Sequence, residues 1–258
     1  MEIKIAGAGK IAGGEYEDVH VSGSASASGA IRTKSLEVAG SMKTDSVMEC
    51  KGVASVSGAL KAEGDFAAET LTVNGTLGVG GAANLGKQAK ITGKLTVENE
   101  IKGKDIFVSG QLECGEGIEA EKFVSRGSAV IGGLLNADDI EIVYGAVGEG
   151  LGHGNSSISE IGGSRVVIRR GSIDKKIRKL PLLGKLFGQN PSVTVTEGIE
   201  GDEITLEGVE TPRVVGRIVR IGEECKIGTV EYAESIEVAP TSQVQHKIHT
   251  EDTALSHP

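Results

Sequence analysis

Apolar residues return along this chain every 17 or 18 positions. That beat is far longer than the 3.6 of an amphipathic helix and too regular for a meander of hairpins. Its frame is a tripeptide ending in glycine: Val21-Ser22-Gly23, Val38-Ala39-Gly40, Val56-Ser57-Gly58, Val73-Asn74-Gly75, Ile91-Thr92-Gly93 and Val108-Ser109-Gly110. Gly127, Gly145 and Gly162 extend the series with looser lead-ins. Further stations keep phase between the glycines. Leu60, Leu77, Leu95 and Leu112 stand two residues after their glycine, and Ile31, Met48, Phe66 and Ile101 stand eight after. Leu36, Leu71, Ile106 and Phe123 stand four before the next one.

Asn74-Gly75 between alternating aliphatics is a strong short-range hairpin signal. Yet Leu71, Val73, Leu77 and Val79 stay on one parity through it. A chain rounding a corner keeps the same side chains pointing inward, whereas a hairpin meander would not hold three apolar stations in phase over 17 residues. Glycine at the corner tolerates positive φ and leaves room for close backbone packing. The pattern predicts an all-β fold, a parallel β-helix (β-solenoid) of 17–18-residue turns with equivalent strands stacked about 4.8 Å apart. One turn buries about five aliphatics, each worth roughly 1.5–3 kcal/mol. Ordering its residues costs about 1–2 kcal/mol apiece in backbone entropy, so a single turn fails and stability comes from stacked neighbours sharing one core.

The pattern divides the chain into an N-terminal lead-in (1–18), a β-helix (19–172), a basic amphipathic insertion (173–192), a β-helix continuation (193–240) and a flexible C-terminal tail (241–258). Arg165 through Lys185 holds eight basic residues and one acid, Asp174, in an otherwise acidic chain. Ile177, Leu180, Leu183 and Phe187 are helically spaced, although Pro181 and Gly184 would break or cap a helix. The segment reads either as an insertion packed on one flank or as an element docking a membrane surface or a partner. Its candidate contacts are Arg169, Arg170, Lys175, Lys176, Ile177, Arg178, Lys179, Leu180, Leu183, Lys185, Leu186 and Phe187.

The first predicted rung, near Val19 and Val21, and the last, near Ile236 and Val238, have no capping helix predicted beside them. Unpaired N–H and C=O groups on such rungs are a template for strand pairing. These four residues are the candidate polymerisation ends.

Composition narrows the function classes. A net charge of −9 with dispersed acids argues against a nucleic-acid partner. With no Trp, four Phe and 39 Gly, the chain suits a narrow core built in thin layers. Cys50, Cys114 and Cys225 form no CxxC pair and cannot all pair with one another. The opening MEIKIAGAGK is too short and polar for a signal peptide, and no stretch approaches 18 uninterrupted apolar residues. The expectation is a reducing, cytoplasmic setting.

Searches for chemistry return little. GAGKIA at 7–12 satisfies GxGxxA, but GGEYEDVHVSGSASASG follows it and is not helical, so neither a dinucleotide nor a Walker A site is expected. Hexapeptide acyltransferase turns require an aliphatic fourteen residues after each glycine; Glu37 and Thr72 break that rule. The calcium motif GGxGxD is absent. His20, His153, His246, His249 and His257 form no metal cluster in the sequence. Asp138 and Asp139 could be a carboxylate pair on a glycan-cleaving β-helix, but they read better as solvent-facing residues before a strand. Cys114 falls at an inward position and reads as a small core residue. No enzyme activity, cofactor, metal or small-molecule substrate is expected.

A solenoid of 17–18-residue turns with recurring [VI]-x-G corners, such as VNGTL and VSGQL, resembles the bactofilins. These are bacterial polymer-forming cytoskeletal proteins. The resemblance covers residues 19–145 well and 193–240 loosely. It implies a right-handed helix with a three-sided core and nucleotide-independent assembly into filaments by end-to-end contacts. It also implies a scaffold role near the inner face of the cell membrane, in cell shape, polarity or motility. Its partners would be further copies of the chain, a paralogous bactofilin and a membrane surface. The chain departs from the compact family pattern in its length and its basic insertion. The other readings are a monomeric β-helix module docking a membrane or protein through 165–187, and a β-helix enzyme acting on glycans or acyl groups.

Overall fold

The computed structural model describes residues 1–145, 156–171 and 192–250. These form nineteen β-strands, with no helix among the described residues. The chain divides into two compact units, Met1–Glu121 and Lys122–Pro258. Each is a β-solenoid of parallel turns.

The first unit begins with β1 (Ile3–Ile5), β2 (Ala8–Val21) and β3 (Ser24–Val38). It continues through β4 (Ser41–Thr44), β5 (Met48–Val56), β6 (Ala59–Ala62), β7 (Phe66–Val73), β8 (Thr76–Val79), β9 (Ala83–Ile91), β10 (Lys94–Val97), β11 (Ile101–Val108) and β12 (Gln111–Cys114). The division falls within β13 (Ile118–Ser125). Val21, Val38, Val56, Val73, Ile91 and Val108 pair in sequence as one column, each at most 1% exposed. β7 and β8 do not pair with each other. β8 lies parallel to β6 on one side and β10 on the other, so Asn74-Gly75 is a corner.

Each regular turn has three sides, and each side sends two residues inward. In the turn after Gly58 these are Leu60 and Ala62, Phe66 and Ala68, then Leu71 and Val73, all at most 4% exposed. The sequence pattern shows four of the six stations. The other two are filled in several turns by small or polar residues such as Thr33, Thr44 and Cys50. Their polar atoms are satisfied locally: Thr33 Oγ1 lies 2.8 Å from the Ser35 carbonyl, and Thr44 Oγ1 accepts from Ser46 N–H at 3.3 Å.

The corner glycines have a different cause from the one the sequence suggests. Positive φ among described glycines is confined to Gly29, Gly145 and Gly208, so the glycines ending the tripeptides need no left-handed conformation. Their requirement is the stacking. A β-carbon on Gly40, Gly58, Gly75, Gly93 or Gly110 would lie 1.9–2.0 Å from the carbonyl oxygen of the corner glycine one turn below. The backbone approaches this closely because successive amides converge. The N–H groups of Asn74 and Gly75 both donate to Val56 O, at 2.9 and 3.0 Å, and Thr76 N–H donates to Gly58 O at 2.8 Å.

The second unit contains β14 (Ser128–Tyr144), β15 (Ser156–Arg170), β16 (Val193–Leu206), β17 (Val209–Ile221), β18 (Lys226–Val238) and β19 (Gln243–His249). Ile142, Ile168, Leu206, Ile221 and Val238 form one column. Ile161, Ile199, Val214, Val230 and Lys247 form another. The regular beat fails here. Gly162 lies within β15 opposite Asn136 and Glu200, not at a corner. β14 ends at Tyr144 and β15 at Arg170, which pair with each other, and the next described strands begin at Ser156 and Val193, which also pair. The two turns between these pairs are longer than the regular 17–18 residues. Residues 146–155 and 172–191 lie outside the described residues, as does most of the expected insertion.

Both expected termini differ from the structure. Residues 1–18 are not a lead-in, because β1 and most of β2 already build a turn. Residues 241–250 are not a loose tail: β19 pairs with β18 from Lys226↔Gln243 to Tyr232↔His249. The alternation of β19 is masked by its polar content, as suits a strand with a described partner on one side only.

Candidate functional site

The candidate surfaces are the outermost turns. At the N-terminal one, Ile3, Lys4 and Ile5 pair with Val19, His20 and Val21. The Ser22 and Gly23 amides donate to Ile5 O at 2.9 and 3.1 Å, repeating the corner geometry of the later turns. β1 pairs only with β2 among the described residues, so its outer edge is open there. Ile3 and Ile5 are half-buried. A β-carbon on Gly9 would lie 2.8 Å from Ile5 Cδ1, so this glycine makes room for Ile5 to fold over the end of the core. Ile11, paired with Ala27 on the same column, is 2% exposed. Tyr16 Oη donates to Ala12 O at 2.7 Å, and a β-carbon on Gly14 would lie 3.4 Å from that hydroxyl oxygen.

This corrects one pair of candidate ends. Val19 and Val21 are 1% and 0% exposed, between Ile3 and Ile5 on one side and Leu36 and Val38 on the other. They are core residues of an inner rung. Ile3 and Ile5, which alternate 16 residues ahead of them, are the signal the sequence reading passed over.

The other pair lies at an edge. Ile236 and Val238 pair with Val219 and Ile221 on one side, have no described partner on the other, and are half-buried. Beside them, β19 places Val244, Lys247 and His249 above Ile227, Val230 and Tyr232. His249 Nε2 is 2.8 Å from Ala233 O, and its ring centroid is 5.2 Å from that of Tyr232. Lys247 thus ends an otherwise aliphatic inward column. Sequence reasoning missed it, since its place in a column appears only once the register of β19 is known.

The basic segment divides. Arg169 and Arg170 are described, and both are engaged. Arg169 Nη2 donates to Glu141 Oε1 at 2.7 Å. Arg170 Nη2 donates to Glu224 Oε2 at 2.5 Å, its amide donates to Glu207 Oε2 at 3.0 Å, and its guanidinium stands 5.9 Å from the Tyr144 ring centroid. Burial pushes the Tyr144 phenol above its ordinary pKa. Glu224 has φ 59, the one positive value at a described residue other than glycine. Lys175, Lys176, Ile177, Arg178, Lys179, Leu180, Leu183, Lys185, Leu186 and Phe187 lie outside the described residues. Arg165 is also paired, to Asp139 at 2.6 Å.

The two aspartates considered for hydrolysis behave differently. Asp138 is exposed. Asp139 sits between Lys122 Nζ (2.8 Å) and Arg165 Nη1 (2.6 Å), and the hydrogen bond from Lys122 foremost holds its carboxyl below the ordinary aspartate range. A carboxylate held ionised this way is unsuited to serve as a general acid. No group of three or more His, Cys, Asp or Glu among the described residues could hold a metal ion. Cys50, Cys114 and Cys225 are free and buried, and burial pushes the Cys114 thiol up to about 11. No helix among the described residues is long and apolar enough to cross a membrane.

No family model matches the chain, and no solved structure matches it. Two proteins of Bacillus subtilis (strain 168) do. "Uncharacterized protein YhbF" is 33% identical over 115 residues, 45% of this chain and 41% of that protein. "Uncharacterized protein YhbE" is 34% identical over 117 residues, 45% of this chain and 42% of that protein. The match therefore spans less than half the length of either relative, and the chain is similar to both over a stretch long enough to hold several turns of the repeat.

Proposed function

We propose that this protein is a structural scaffold of the bactofilin kind, which assembles into filaments by stacking the end turns of its solenoids, without nucleotide, cofactor or catalytic chemistry. The observation that carries this reading is the pair of outermost turns. Ile3 and Ile5 at one, and Ile236 and Val238 at the other, are half-buried aliphatics on strands whose outer edges have no described partner. Such edges pair with further strands unless something covers them, and a repeat protein gains stability from each added neighbour. A cytoplasmic location at the inner face of a membrane, with roles in cell shape, polarity or motility, follows from the resemblance and is part of the proposal. The docking-module reading is weakened because Arg165, Arg169 and Arg170 are paired within the fold.

The test is sedimentation combined with negative-stain electron microscopy of purified protein without nucleotide. Filaments or concentration-dependent oligomers are expected. A particle that stays monomeric at every accessible concentration would overturn the reading.

A further inference from the structure

Asn74-Gly75 is the only asparagine–glycine pair in the chain. The other tripeptide corners carry Ser22, Ala39, Ser57, Thr92 or Ser109 before their glycine. The pair has a chemistry of its own. In a flexible chain the backbone nitrogen that follows an asparagine attacks the side-chain carboxamide, and a glycine there has no side chain to hinder the approach. Asn74 is exposed, so water reaches it.

The fold opposes that attack wherever it would begin. The Gly75 N–H must give up its proton before the nitrogen becomes a nucleophile, and it donates to Val56 O at 3.0 Å. Asn74 Oδ1 accepts from Thr92 Oγ1 at 2.6 Å, which ties the carboxamide to the next turn. The peptide between the two residues is held from both neighbouring corners. A β-carbon on Gly75 would lie 1.9 Å from Gly58 O, and one on Gly93 would lie 2.0 Å from Gly75 O and 2.4 Å from Asn74 O. Gly75 O also accepts from Lys94 N–H at 2.8 Å. Ring closure needs rotation about the Asn74 backbone, and the stacked corners leave that peptide no room to turn.

We infer that Asn74 is a conditional modification site, silent while its corner is stacked and converted to aspartate or isoaspartate once the turn opens. The Gly75 nitrogen loses its proton and bonds to Asn74 Cγ, ammonia leaves, and one water opens the resulting cyclic imide at either carbonyl. Attack at Cγ restores the ordinary backbone with a carboxylate at position 74, which still offers an acceptor to Thr92 Oγ1. Attack at the main-chain carbonyl leaves the backbone running through Cγ, one methylene longer. That product lengthens a corner with no space for one added carbon, so a chain converted this way does not restack there. The site records an opening of the first unit and makes it irreversible. None of this depends on the assembly reading.

The experiment incubates the full chain at mildly alkaline pH, folded in buffer and unfolded in guanidinium chloride, and follows Asn74 by peptide mapping with mass spectrometry. Asn84, followed by the bulky Leu85, is the internal reference. Conversion at Asn74 should be at least about tenfold slower in the folded chain, because only the locally opened fraction reacts. Thr92→Val should raise the folded rate several-fold and leave the unfolded rate unchanged. After removal of denaturant, isoaspartate should be concentrated in chains that fail to refold, whereas Asn74→Asp should refold normally. Equal rates in folded and unfolded chain overturn the inference. A folded Thr92→Val chain that converts no faster overturns the part given to Thr92, and isoaspartate spread evenly between refolded and unfolded chains overturns the irreversibility.

Discussion

The carbonyl oxygen of Gly58 lies 1.9 Å from the place a β-carbon on Gly75 would occupy. Corners of successive turns touch backbone to backbone, and any side chain would have to push two turns apart. Gly75→Ala is therefore expected to destabilise the first unit by about 3 kcal/mol, the upper part of the range for overpacking. Val53→Ala, at a site 55% exposed, should change stability little. Urea denaturation of both variants checks the contrast.

Ser125 is expected to behave in the opposite sense. It stands two residues before Gly127, where the regular turns carry Val or Ile, and its hydroxyl is buried without a hydrogen-bond partner. Ser125→Ala removes the orphaned group and should raise stability by about 1 kcal/mol. An unfolding midpoint at or below that of the unmodified chain would contradict the assignment.

Asp139 should make a pH-dependent contribution. Its folded pKa is depressed, so its stabilisation is fully present above the unfolded value and is lost as pH falls through the folded one. Asp139→Asn is expected to cost about 0.5–1 kcal/mol at pH 7, since the group is partly exposed. The difference from the unmodified chain should close as pH drops below the ordinary aspartate value of 3.8. Thermal melts of both proteins across that range test this.

The three cysteines should be silent in the folded chain. All are buried, and burial raises each thiol's pKa, that of Cys114 to about 11. A thiol-reactive chromophore at pH 8 should find no fast-reacting group in native protein and three in strong denaturant.

The corrected position of the N-terminal edge gives a prediction about assembly. Ile3→Asp alters a half-buried residue of the outermost strand and should abolish association while leaving the solenoid folded. Val21→Asp places a charge at a site 0% exposed and should unfold the turns around it. Circular dichroism separates the two outcomes, and sedimentation reads the association.

The repeat itself was legible in the sequence. The tripeptide corners, the parity carried through Asn74-Gly75 and the aliphatic columns led to a parallel solenoid because each turn buries its side chains on its neighbours, which forces the same residue types to recur at the turn length. What recurs can be read without coordinates. What occurs once cannot: the two longer turns that follow Tyr144 and Arg170, the pairing of Arg169 with Glu141 and of Arg170 with Glu224, and the outermost described rungs. Residues on an outermost strand are held from one side only, so water dilutes the alternation of β1 and β19 that a sequence reading depends on. Lys247 looks like any surface lysine until the register of β19 sets it on Val230, since only the stacked structure determines which side chains point inward at the last rung.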